Sequence, residues 1–183
     1  MKAERCCTDQ DDGNQMKVAV PQVRVLEDAR LEAAQHRLRE SVGPVDTLEA
    51  IREIVTGLVG CEEIALFTVA QGKSTLFWSF GIDPKQHQTL DTFEEPALQR
   101  VLDGEFYLAK AAGQQRASMN NPPLRVFVPI RMNSRTVAVL VMLRLLPQKV
   151  AFDESDIRLV KLLSNEAGRR LFGPGAASQP QGC

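Results

Sequence analysis

The stretch VAVLVMLRLL, Val137 to Leu146, is apolar on both of its alternating faces apart from Arg144. A strand of that kind must be covered from two sides, so it belongs at the centre of a sheet sandwiched between layers. The residues just before it behave differently. Leu124, Val126, Val128 and Ile130 alternate with Arg125, Phe127, Pro129 and Arg131. Pro129 has no amide to give to a ladder, which predicts a sheet edge or a bulge at that point. Met132 to Arg135 forms the turn between the strands, with Asn133 suited to the left-handed conformation. A strand buried on both faces, hairpinned to a more exposed one, calls for an antiparallel sheet with cover on each side.

The flanking segments supply that cover. "RVLEDARLEAAQHRLRESV" is helical in composition and carries two narrow stripes. Leu31, Ala34, Leu38 and Val42 fall on one side, and Leu26, Ala29 and Ala33 fall roughly opposite, with His36 beside them. Two stripes predict two neighbours, the domain itself and a second subunit, with Leu31, Ala34, Leu38 and Val42 as the expected dimer interface. Gly43-Pro44 should end this helix. A second helix is expected from Asp46, with Glu49 completing a capping box and Leu48, Ile51, Ile54, Val55, Leu58 and Val59 on one face up to a stop at Gly60. A core starting at Asp46 leads to the expectation that removing residues 1–44 leaves a folded monomer.

Ile64–Val69 and Thr75–Phe80 read as strands of a hairpin around Gln71-Gly72-Lys73. The region from Ile82 to Pro123 mixes a short helix (Glu95–Leu102), an edge strand (Glu105–Leu108) and the polar loop KAAGQQRASMNNPP. Loops of that length inside a compact domain usually carry function or motion. The last helix has the clearest entry signal. Asp153 is the N-cap, Asp156 the N3 residue, and Phe152 with Ile157 a hydrophobic staple. Ile157, Val160, Leu163, Ser164, Ala167 and Leu171 share its packing face, while Arg169 and Arg170 complement the negative helix end.

The expected fold class is therefore α+β, an antiparallel sheet of about five to six strands with the N- and C-terminal helices packed on one face. Residues 1–22 read as a disordered leader, 23–44 as the dimerisation helix, 45–172 as the domain and 173–183 as a disordered tail. With 44% hydrophobic and 25% charged residues, the chain can bury a substantial core. A net charge of −1 offers no electrostatic footprint for nucleic acid, and no apolar run reaches the ~20 residues of a membrane span. The four cysteines, Cys6, Cys7, Cys61 and Cys183, form no CxxC pair or metal-spaced cluster, so neither metal nor cofactor is expected. The address expected is cytoplasmic. No P-loop or dinucleotide fingerprint is present, and the two histidines suggest no catalytic triad.

Three stretches, "VDTLEAIREIVTGLVGCEEIALFTVA", "VFVPIRMNSRTVAVLVMLRL" and "AFDESDIRLVKLLSNEAGRRL", resemble the opening, central hairpin and closing helix of a GAF domain over about Val45 to Phe172. Many such domains carry glycine where this chain has Ala138 in Ala138-Val139-Leu140. The resemblance implies a regulatory module of signalling proteins, with any ligand held between the sheet and the irregular segment. The candidate lining there is Trp78, Phe80, His87, Phe93, Tyr107 and Phe127. Bilin-binding members attach their chromophore to a cysteine in that segment, and residues 82–123 hold none. Of the cyclic-nucleotide motif N-K-(x)n-F-x3-D-E, Lys149, Phe152 and Asp156 remain, with Gln148 and Ile157 in place of the asparagine and glutamate. The functional expectation is a non-catalytic module that homodimerises and either senses a small ligand or binds a signalling partner protein. The alternative is a thiol-dependent reductase of the free methionine sulfoxide reductase type, working through Cys61.

Overall fold

The computed structural model describes residues 20–93, 98–109, 125–149 and 151–174. The chain runs α1 (Val20–Glu40), α2 (Gly43–Glu53), a π-helical turn (Ile54–Val59), β1 (Cys61–Ala70), β2 (Lys73–Phe80), a 3-10 turn (Leu90–Phe93), α3 (Leu98–Leu102), β3 (Tyr107–Ala109), β4 (Arg125–Met132), β5 (Arg135–Leu145) and α4 (Glu154–Phe172). The five strands form one antiparallel sheet in the order β2-β1-β5-β4-β3. The fully apolar β5 is the middle strand, and Ala138 to Met142 along it are completely buried.

The alternation of β1, β4 and β5 divides the interior into two clusters. Ile64, Leu66, Val126, Val128, Ala138 and Leu140 face the layer of α1, α2 and α4. Ala65, Phe67, Phe127, Val139 and Val141 face the other way, against Leu90 and Val101 with Leu98 and Leu102. Both hairpins close with two left-handed residues, Gln71-Gly72 (φ 52 and 74) and Asn133-Ser134 (φ 51 and 64). Paired positive φ values match the turn twist to the strand twist.

Pro129 lies in an interior strand, one residue from a bulge. β4 lies inside the sheet, but β3 pairs only with Arg125, Val126 and Phe127, and the β4–β5 register slips between Ile130 and Arg131. The proline therefore falls where its outer neighbour has ended and beside a bulge, so its missing amide is not needed there.

Four helical expectations change. The second helix begins at Gly43, with Pro44 in its first turn, where a missing amide costs nothing. Asp46 is not the cap residue, but its carboxylate accepts from the Val42 amide (2.8 Å), while Glu49 turns to Arg52. On α4, Asp153 and Asp156 form the expected capping box, yet Leu159 rather than Ile157 joins the core, and Phe152 stacks on Phe106.

The largest difference concerns α1. Ala34 and Leu38, expected between subunits, are 0% and 1% exposed inside this chain's own core, and Leu31 packs against them. Val42 lies past the helix end, 83% exposed. Arg158 binds Asp28 and the Arg170 guanidinium reaches the Arg39 carbonyl, so α1 and α4 run side by side in one direction. Residues 23–44 are thus built into the domain, and removing residues 1–44 strips Ala34, Leu38 and Arg30 from its interior. The leader up to residue 19, the tail from residue 175 and the polar loop at 110–123 lie outside the described residues.

Candidate functional site

The aromatic set expected around a ligand is split by the sheet. Trp78 pairs with Leu66 and Phe80 with Ile64, which places both on the helical face. Phe80 is 36% exposed there, with the Arg52 guanidinium 5.3 Å from its ring centre. Phe127 and Tyr107 lie on the opposite face, their ring centres 6.0 Å apart. His87 is half-buried in the connection after β2, and the Phe93 side chain lies outside the described residues. Of this set, Tyr107 and Phe127 are brought together. Phe67 and Phe127 are fully buried, in one cluster with Leu90 and Val101.

The remnant motif Lys149, Phe152 and Asp156 has a different use. Asp156 has no exposed side-chain surface, and both its oxygens take the Lys149 ammonium, at 2.7 and 2.6 Å. Arg30 adds a third bond to Oδ1 at 3.2 Å and also donates to the Ser155 hydroxyl and the Leu58 carbonyl. The Asp153 amide completes the set at 2.8 Å. A buried carboxylate is tolerated only when paired and hydrogen-bonded, and here every lone-pair direction is used. Through Asp156 and Arg30 these bonds tie together α1, the π-helical turn, Lys149 and the start of α4. Sequence reading missed Arg30, because its partners lie far along the chain (a separation of 126 residues to Asp156) and no local pattern reports them.

Cys61 is equally closed. It is 0% exposed, its thiol donates to the Glu63 carbonyl (3.3 Å), and burial pushes its pKa up. A nucleophilic cysteine needs the reverse, an accessible thiolate in an electropositive place. Cys6, Cys7 and Cys183 lie outside the described residues. No group of His, Cys, Asp and Glu suited to a metal occurs among the described residues. Among them, no helix is long and apolar enough to cross a membrane.

What remains open is the outer side of α1. Val25 and Leu26 are 68% and 67% exposed, Ala29 and Ala33 are exposed below them, and His36 pairs with Glu40 at 3.3 Å. This stripe lies opposite the buried Ala34 and Leu38.

A five-stranded antiparallel sheet, with terminal helices on one face and short irregular helices on the other, defines an α+β module. Its fold is that of the GAF domains. The chain is similar to the GAF domain of a phosphoenolpyruvate-protein phosphotransferase from Acinetobacter, at 17% identity over 78% of this chain and 90% of that one, with a TM-score of 0.56. It is also similar to the A. aeolicus nlh2 GAF domain in an inactive state, at 11% identity over 81% of this chain and 97% of that one (TM-score 0.56). A third likeness is to the free methionine-R-sulfoxide reductase of Neisseria meningitidis in complex with its substrate, at 17% identity over 85% of this chain and 97% of that one (TM-score 0.56). No family model and no curated protein sequence matches the chain.

Proposed function

We propose that this protein is a non-catalytic cytoplasmic regulatory module, a GAF-like homodimer that acts through contact with a signalling partner protein. The observation that carries this reading is the two-sided α1. Its inner stripe is spent on the chain's own core, while Leu26, Ala29 and Ala33 stand exposed on the outer side. The small side chains at positions 29 and 33 let a second helix approach closely, and Leu26 gives the contact its apolar area. The burial of Cys61 speaks against the reductase alternative, since no thiolate is offered to a substrate.

Light scattering after size-exclusion chromatography tests this reading. Wild type is expected to elute as a dimer, and the double variant Leu26→Glu/Ala33→Glu as a monomer with an unchanged circular dichroism spectrum. A monomeric wild type, or a double variant that stays dimeric, refutes it.

A further inference from the structure

On the helical side of the sheet, where α4 passes over the outer part of β4, there is a cleft of about 220 Å³. It opens where β3 has already ended, since β3 stops pairing at Phe127. Val128 and Val160, both fully buried, form its floor together with Phe106 and Pro129. Arg131, Lys161 and Asn165 stand at its rim. This is the face opposite to the Tyr107–Phe127 pair, and none of Trp78, Phe80, His87, Tyr107 and Phe127 lines it.

The rim is cationic and not internally neutralised. Arg131 donates to the Gly104 carbonyl and makes no ion pair among the described residues. Gly104 (φ +97) makes that position accessible, because a Cβ there would lie 2.4 Å from Arg131 Nη2 and 3.1 Å from Cζ. The guanidinium is thus laid against the loop and held. Glu105, the acid beside this loop, is taken by Arg100 at 2.6 Å. Lys161 and Asn165 have no hydrogen-bond or ion-pair partner among the described residues. The Ser164 hydroxyl is spent on the Pro129 carbonyl, which leaves the two cations and the Asn165 amide facing the opening.

We propose that this cleft binds a small carboxylate with a compact apolar body. The carboxylate sits between Arg131 and Lys161, a planar fork of donors beside a point charge. The apolar body rests on Val128, Val160 and Phe106. A cleft of this size suits a single ring or a branched chain. This site stands independently of the dimer, because none of its residues lies on α1.

A titration of the full ¹⁵N-labelled chain with benzoate, using benzyl alcohol as the neutral control, tests the proposal by two-dimensional NMR. Benzoate is expected to shift the amides of Val128, Arg131, Val160 and Lys161 in a saturable manner, and benzyl alcohol to bind more weakly. Arg131→Gln and Lys161→Gln, both at exposed positions, are each expected to weaken benzoate roughly five- to tenfold and to leave benzyl alcohol unchanged. Shifts confined to other parts of the protein overturn the site. Equal binding of the two probes, or benzoate binding unaffected in the Arg131→Gln/Lys161→Gln variant, overturns the carboxylate assignment.

Discussion

Replacing Gly168 by alanine puts a methyl group where α4 touches the end of β4. The added Cβ would lie 2.1 Å from the Arg131 carbonyl oxygen, 2.8 Å from its carbon and 3.3 Å from Ile130 Cγ2. Two of those neighbours are backbone, so no rotamer change relieves the contact. The helix must move out by about 1 Å to restore an ordinary separation, and the seats of Leu163, Ala167 and Leu171 in the core move with it. Alanine in a helix interior normally gains ~1 kcal/mol over glycine. Overpacking against a fixed wall costs about 1–3 kcal/mol and occasionally more, and the displaced core contacts add to that loss. The net expectation is a destabilisation of about 1–3 kcal/mol, or several degrees in Tm for a chain of this size. Gly57→Ala is the matched control. It too is helical, with nothing within 4 Å of the added Cβ, and is expected to be neutral or stabilising by up to ~1 kcal/mol. Urea denaturation followed by circular dichroism reads both variants. If Gly168→Ala proves as stable as Gly57→Ala, the close approach of α4 to β4 does not set the packing and the reasoning fails.

Removing the ammonium from the buried clamp should be more costly. Lys149→Met is expected to destabilise by about 2–4 kcal/mol, because the buried Asp156 carboxylate is left with only Arg30 as an ionic partner, and adding Asp156→Asn should recover part of the loss. A double variant less stable than Lys149→Met alone refutes this account. The pH dependence follows from three carboxyl groups held below their ordinary range. For Asp46 the Val42 amide and then Arg37 lower the pKa, and for Glu49 the Arg52 guanidinium does so. At Asp153 burial pulls upward but is outweighed by the Asp156 amide, the Ser155 hydroxyl and nearby cations. Depressed folded-state values mean stability that is present above the unfolded pKa, near 4, and lost as pH falls through the folded values. Thermal melts should therefore hold a plateau above about pH 5 and drop below about pH 4, with Asp153→Asn flattening part of that drop; melts that gain stability on acidification contradict it.

The legible parts of the fold were those written in neighbouring residues. The apolar run of β5, the Asp153–Asp156 capping box and the two hairpin turns each need only a few consecutive side chains to be recognised. The candidate pocket was not legible, because it required knowing which faces of different strands coincide. A register shift between Leu66 and Phe67 leaves Phe77 outside the β1–β2 pairing, with Trp78 opposite Leu66 and Leu76 opposite Phe67. That extra residue puts Leu76, and no aromatic of β2, on the face of Phe127, while Phe77 meets Phe172 of α4, and nothing local to β2 announces it. The α1 stripes posed the same difficulty. Leu31, Ala34 and Leu38 are no more apolar than Leu26, Ala29 and Ala33, so only the position of α4 decides which set is buried. The carboxylate cleft is likewise assembled from the loop at Gly104, from β4 and from α4.

The clamp on Asp156 also bears on how the chain is made. Arg30 emerges from the ribosome long before its anchor Asp156, which with Ser155 belongs to α4. In the same way β1 must wait for β5, its inner neighbour in the sheet. A nascent chain carrying α1, α2 and the first hairpin therefore exposes an apolar sheet face and an unpaired strand edge until α4 has been synthesised. Such intermediates are the natural clients of chaperones, and contacts this distant in sequence slow folding.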